Sequence, residues 1–156
     1  MIRTAIIALD TDGDHESAAL QTLREVLSQG DFAEVDYQRV PPAQAMIRAK
    51  LRMIADTDAA DLILTLGGIT LDIKDRVPEA TEEVIERHAA GIAELVRFAL
   101  LKQSRKAALY RNMAGIRRRT LIINLPNDEQ GVKMACTAII SILPDAITSI
   151  NYEPLS

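Results

Sequence analysis

The strongest constraint on this chain lies in residues 62–81. There Leu62-Ile63-Leu64-Thr65-Leu66 runs into Gly67-Gly68, crosses a polar stretch and restarts at Pro78-Glu79. A short apolar run bounded by glycine has the length of a strand buried on both faces, and proline followed by acidic residues is how a helix opens. Strand, loop and helix in that order form half of a parallel α/β unit. In such sheets ligands gather where loops leave the carboxyl ends of strands, so the loop after Leu66 is the first place to seek function.

The same alternation extends along the chain. Thr4 to Leu9 reads as a buried first strand, ended by Asp10-Thr11-Asp12-Gly13-Asp14. Ala19, Leu20, Leu23, Val26 and Leu27 recur at helical spacing within 17–28, and Gly30 ends that helix. Phe32 to Val40 reads as a second strand, stopped by Pro41-Pro42. A helix over 43–55 follows, with Ala45, Met46, Ala49, Met53 and Ile54 marking its apolar face. After Pro78, helical pattern continues to Leu100 with a break near Gly91, and Ala107 to Tyr110 reads as a short strand. Thr120 to Leu125 is a further strand ended by Pro126. Asn127 or Asp128 can cap a helix through Val132, Ala135, Cys136 and Ile139, which Pro144 closes. The expected fold is α/β, a mostly parallel sheet covered on both faces, in one domain over 1–156.

Composition excludes several classes. The single cysteine, Cys136, rules out a disulfide framework and a four-cysteine zinc site, and its helical neighbours make it a core residue. No leader-like start and no apolar run near the ~18 residues needed to span a bilayer are present, so a cytoplasmic protein without a membrane partner is expected. A net charge of −4, an aromatic content of 3% and no tryptophan argue against a nucleic-acid partner. Lys102, Arg105, Lys106, Arg111, Arg117, Arg118 and Arg119 nevertheless form a basic block suited to an anionic small molecule.

Residue by residue, alternatives stay open. Residues 10–14 resemble a calcium loop in charge but not in spacing, because His15 and Gln21 stand where Gly and Glu are required. Gly67-Gly68 is either a tight turn or a phosphate cradle, with no lysine-serine pair and no G-x-G-x-x-G to favour an ordinary nucleotide loop. Asp75 either caps a turn or holds a metal bound to phosphates. Glu79, at a helix start that would otherwise attract phosphate, must point away or bind something else. Arg117-Arg118-Arg119 is a charged turn or an anion clamp. His15 and His88 lack a neighbouring nucleophile and read as surface side chains.

Gly67-Gly68, Asp75, Val77-Pro78-Glu79-Ala80-Thr81, Ala114-Gly115-Ile116-Arg117 and Leu121-Ile122-Ile123-Asn124-Leu125-Pro126 occur in an order that resembles the molybdopterin-binding family of molybdenum cofactor biosynthesis. The resemblance implies a three-layer α/β/α sandwich, a homotrimer, and transfer of AMP from Mg·ATP to the terminal phosphate of molybdopterin. It further implies Asp75 as catalytic residue and, with Asp10, as Mg²⁺ ligand. The expected contacts to molybdopterin and ATP are Gly67, Gly68, Thr70, Pro78, Glu79, Thr81, Gly115, Arg117 and Pro126.

The chain departs from the family where ligands are expected. The usual Gly-Gly-Thr-Gly carries Ile69 and Thr70 in its last two places, a second functional aspartate is replaced by Pro42, and the glycine after Leu-Pro is Asn127. Asp10, Asp12 and Asp14 are candidates to replace the missing carboxylate. Two readings follow: an adenylyltransferase, or a non-catalytic paralogue that binds molybdopterin or serves as a scaffold with a degenerate site.

Overall fold

The computed structural model describes residues 1–10 and 18–153. In chain order the elements are β1 (Ile2–Leu9), α1 (Ala18–Leu27), β2 (Phe32–Val40), α2 (Gln44–Asp56), β3 (Leu62–Leu66), α3 (Val77–Val84), β4 (Arg87–His88) and α4 (Ala90–Leu101). After a 3-10 turn at Arg105–Leu109 come β5 (Ala114–Arg117), β6 (Thr120–Leu125), α5 (Glu129–Ile139) and α6 (Leu143–Ile150). The strands form one six-stranded sheet of order β2-β1-β3-β6-β5-β4. β2, β1, β3 and β6 are parallel, whereas β5 and β4 add an antiparallel edge.

Side chains alternate across each strand, and this splits the core into two layers. Ile6, Leu62, Leu64, Leu66, Leu121, Ile123 and Leu125 pack under α1, α4, α5 and α6. Ala5, Ile7, Ile63 and Ile122 pack under α2 and α3. The result is the expected three-layer α/β/α sandwich with a mostly parallel sheet. No single helix among the described residues is long and apolar enough to cross a membrane.

Several local expectations are corrected. On α2 the buried stripe is Ile47, Leu51, Ile54 and Ala55, while Met46 and Met53 are each 52% exposed. The i, i+4, i+7 spacing of the branched residues decides the inward face, and the methionines flank it. Residues 107–110 form no strand: the Ser104 hydroxyl accepts from the Lys106 amide and caps the 3-10 turn instead. The Ala114–Arg117 motif forms a strand, β5, hydrogen-bonded to β6 and β4. Pro144 opens α6 rather than merely closing α5, because proline loses nothing in a helix's first turn. Asp128 does cap α5, accepting from the Gly131 amide at 2.8 Å. Cys136 is a core residue, its thiol pushed up to about 12 by burial.

Candidate functional site

In the sheet order β2-β1-β3-β6, the chain steps outward from β1 in one direction to β2 and in the other to β3. The crevice at a reversal of strand order lies between the carboxyl ends of the two strands, here Leu9-Asp10 and Leu66-Gly67. Gly67 and Gly68 have φ of +91° and +73°, so glycine is needed for the backbone itself. A Cβ on Gly68 would also lie 2.5 Å from Leu9 Cδ1 and 2.6 Å from Val77 Cγ2. The pair is thus a tight turn that brings the loop against β1. Its first amide is not available to an anion, because Gly67 N–H donates to the Leu125 carbonyl at 3.0 Å. The Gly68 amide has no partner among the described residues.

Beyond the turn, the loop folds around Asp75. Its Oδ2 accepts both the Thr70 amide at 2.9 Å and the Thr70 hydroxyl at 2.6 Å. Arg111, arriving from the segment before β5, joins the two ends of the loop. Its Nε donates to the Thr70 carbonyl at 2.8 Å and its Nη2 to the Asp75 carbonyl at 2.7 Å, and its amide donates to the Ile69 carbonyl at 2.7 Å. Its guanidinium also forms a two-pronged ion pair with Glu79 in the first turn of α3. The acidic residue at this helix start is therefore occupied by a cation of the protein. Pro78, Glu79 and Arg111 line one side of a cavity of about 480 Å³ with Gln44, Glu82, Glu83 and Met113.

The Arg111 guanidinium beside Glu79 holds that carboxyl below its ordinary 4.5. A depressed carboxylate stabilises the fold fully above the ordinary value, and the contribution disappears as pH falls through the depressed one. Wild-type protein should therefore be more stable than Glu79→Gln at pH 7, with the difference in melting temperature shrinking below about pH 4.5. Melts that keep a constant difference down to pH 3 would show that the ion pair does not hold the loop.

Ile69 explains itself in structural terms. It is 1% exposed and packs in the layer with Ile47, Ile63, Val77 and Ile122, so the residue that replaces the family's threonine anchors the loop to the core. Burying such a side chain is worth roughly 1.5–3 kcal/mol. Ile69→Thr should lower stability by about 2 kcal/mol in denaturant titration, because it removes apolar volume and buries a hydroxyl. A gain in stability would mean that position 69 faces the crevice.

Below the loop lies a polar network. Asn124 on β6 is fully buried, and its Nδ2 donates to Thr65 Oγ1 at 3.0 Å and Thr81 Oγ1 at 3.1 Å. Its Oδ1 accepts the Met113 amide at 3.0 Å. Thr81 is thus held inside, fastening α3 to β3 and β6 rather than lining the crevice. Pro126 is buried at the end of β6, while the side-chain nitrogen of Asn127 would lie 3.3 Å from a Cβ on Gly67. Pro42 is exposed after β2 and offers no ligand atom.

Other expected residues lie apart. Gly115 sits inside β5, where a Cβ would fall 2.6 Å from Ile85 Cδ1 and 2.8 Å from the Arg87 carbonyl, so it serves strand packing. Arg117 pairs with Thr120 at the amino start of β6, roughly 16 Å of strand away from Leu125 beside the Gly67 turn. Its guanidinium is engaged by Asp56 at 2.8 and 3.0 Å and by the Val84 carbonyl. The structure does not bring Gly115, Thr81 or Arg117 to the crevice surface. His88 is exposed at the far edge beside Glu82, whereas Asp12, Asp14 and His15 fall outside the described residues.

Asp10 lies at the crevice, with Oδ1 2.7 Å from Arg39 Nη2. Among the described residues no three Asp, Glu, His or Cys side chains converge into a metal cage. Asp75 Oδ1 accepts no hydrogen bond among the described residues, so that carboxylate oxygen is open to a ligand. Sequence alone did not reveal Arg111 as the loop's clamp. It belonged to the basic block, but its partners lie 32 to 41 residues away and leave no local pattern.

A family model described as "Probable molybdopterin binding domain" matches residues 5–145. The molybdopterin adenylyltransferase of Helicobacter pylori strain 26695 is 33% identical over 144 residues, which cover 90% of this chain and 82% of that protein. The molybdenum cofactor synthesis protein cinnamon of Drosophila melanogaster is 35% identical over 114 residues, 73% of this chain but 19% of that much longer protein. Among solved structures, the molybdopterin biosynthesis enzyme MoaB of Thermus thermophilus superposes with a TM-score of 0.90 at 38% identity, covering 100% of both chains.

Proposed function

Because this chain belongs to the molybdopterin-binding domain family, we propose that it acts in molybdenum cofactor biosynthesis by transferring AMP from Mg·ATP to the terminal phosphate of molybdopterin. The observation that carries the reading is Asp75, pinned by one carboxylate oxygen at the strand-order reversal with the other oxygen left for a ligand.

In this reaction an oxygen of the molybdopterin phosphate forms a bond to the α-phosphorus of ATP. The bond from that phosphorus to the bridging oxygen breaks, and pyrophosphate leaves with its electrons. The attacking phosphate oxygen is already anionic, so positioning and electrostatics do most of the work. Mg²⁺, when bound with the triphosphate, neutralises charge that builds on its oxygens. Asp75 Oδ1 would hold that cation, with Asp10 at the neighbouring strand end as second candidate. The Gly68 amide can donate to a phosphate oxygen. Arg111 fixes the loop that carries Asp75, and Pro78 and Pro126 shape its walls.

Ile69 and Thr70 no longer argue for a degenerate site, since one anchors the loop and the other grips Asp75. Incubation of the purified protein with molybdopterin and Mg·ATP should yield an AMP adduct by mass spectrometry and one pyrophosphate per adduct. Absence of both adduct and Mg·ATP-dependent thermal stabilisation would end this reading. The same proposal carries a cytoplasmic homotrimer. Light scattering tests its assembly against three times the 17.1 kDa chain mass.

A further inference from the structure

We infer that Thr70 is the positioning residue for Asp75, presenting a single carboxylate oxygen to the cation that accompanies the nucleotide. This deepens the adenylyl-transfer reading and rests on it. The geometry is directional. The Asp72 amide donates to Thr70 Oγ1 at 3.1 Å, so the hydroxyl's one proton is directed to Asp75 Oδ2, 2.6 Å away. The Thr70 amide meets that same Oδ2 at 2.9 Å, and two donors on one oxygen fix the rotation of the carboxylate.

Thr70 is itself held. Its β-branched side chain is stiff at χ1, and its carbonyl accepts from Arg111 Nε at 2.8 Å. Glycine, usual in the family at this place, would offer only the amide. Threonine adds a second donor and a rigid arm, so the substitution tightens the hold on the carboxylate. A single presented oxygen suits a small, hard cation that keeps near-octahedral geometry and takes its other ligands from phosphate and water. Groups that orient a metal ligand typically change metal affinity by about 10–100-fold when removed.

The test is calorimetric titration of wild type, Thr70→Val, Thr70→Ala and Thr70→Ser with Mg·ATP, and with ATP in excess chelator. Thr70→Val and Thr70→Ala should weaken Mg·ATP binding about tenfold, while their affinity for metal-free ATP falls by less than about twofold. Thr70→Ser, which keeps the hydroxyl, should bind Mg·ATP within about twofold of wild type. Equal losses with and without metal would assign Thr70 a general structural role and overturn the inference. Unchanged Mg·ATP binding in Thr70→Val and Thr70→Ala would overturn it too, while leaving adenylyl transfer intact. Wild-type protein that does not bind Mg·ATP would remove the adenylyl-transfer reading and this inference together.

Discussion

Replacing Asp75 by asparagine is expected to lower the rate of AMP transfer about 10³-fold while leaving the fold as stable as wild type to within about 0.5 kcal/mol. The two expectations separate because of how the carboxylate is held. Both Thr70 donors converge on Oδ2, and an asparagine carbonyl oxygen accepts them in the same place. The side-chain NH₂ then occupies the position of Oδ1, where it cannot coordinate a cation and carries no charge. Steady-state turnover with saturating Mg·ATP and molybdopterin, alongside a thermal melt, reads both quantities. Activity within tenfold of wild type would mean that another carboxylate carries the cation, and Asp10→Asn would be the next variant to examine.

Arg111→Met should destabilise the protein by about 2–3 kcal/mol and reduce transfer about 10²-fold. Methionine keeps much of the apolar stem but gives up the guanidinium's bonds to the Glu79 carboxylate and to the uncharged Thr70 and Asp75 carbonyls. Glu79 is left without its counter-charge, and the loop that carries Asp75 loses the contact joining its ends. Arg111→Lys should recover only part of either loss, because one ammonium cannot reproduce the fork that serves Glu79 and both carbonyls. Hydrogen exchange separates the two causes. Amides of residues 69–77 should exchange faster in Arg111→Met while those of β6 remain protected. Uniform acceleration across the sheet would instead mean that the arginine supports the whole fold.

The sheet and the loop were legible in sequence because their signals are local. Leu62–Leu66 and Thr120–Leu125 are apolar runs closed by glycine or proline, and the helix after Asp75 announces itself through Pro78 and Glu79. Fold class follows from such runs, whereas the family came from the resemblance carried by Gly67-Gly68, Asp75 and Val77-Pro78-Glu79-Ala80-Thr81. The antiparallel edge did not. Arg87–His88 is too short to show a period, and Gly115 interrupts the only alternation β5 has. Met46 and Met53 misled the reading of α2 because methionine is apolar on any scale, while the inward face was set by the branched residues. Within the site, the roles of Ile69, Thr70, Arg111 and Asn124 depend on partners brought together by the fold. Ile69 looked like a lost hydroxyl until its burial showed a core anchor, and Thr70 looked like a lost glycine until its bond to Asp75 appeared.

The clamp has a consequence for the order in which the molecule matures. Arg111 reaches Thr70 across 41 residues and Asp75 across 36. During synthesis both ends of the loop leave the ribosome before the residue that joins them. Closing so long a segment costs conformational entropy that only later packing offsets. The nascent chain can therefore pair β1, β2 and β3 while Asp75 is still unfixed, and the site takes its working shape only once the chain has returned through β5 and β6.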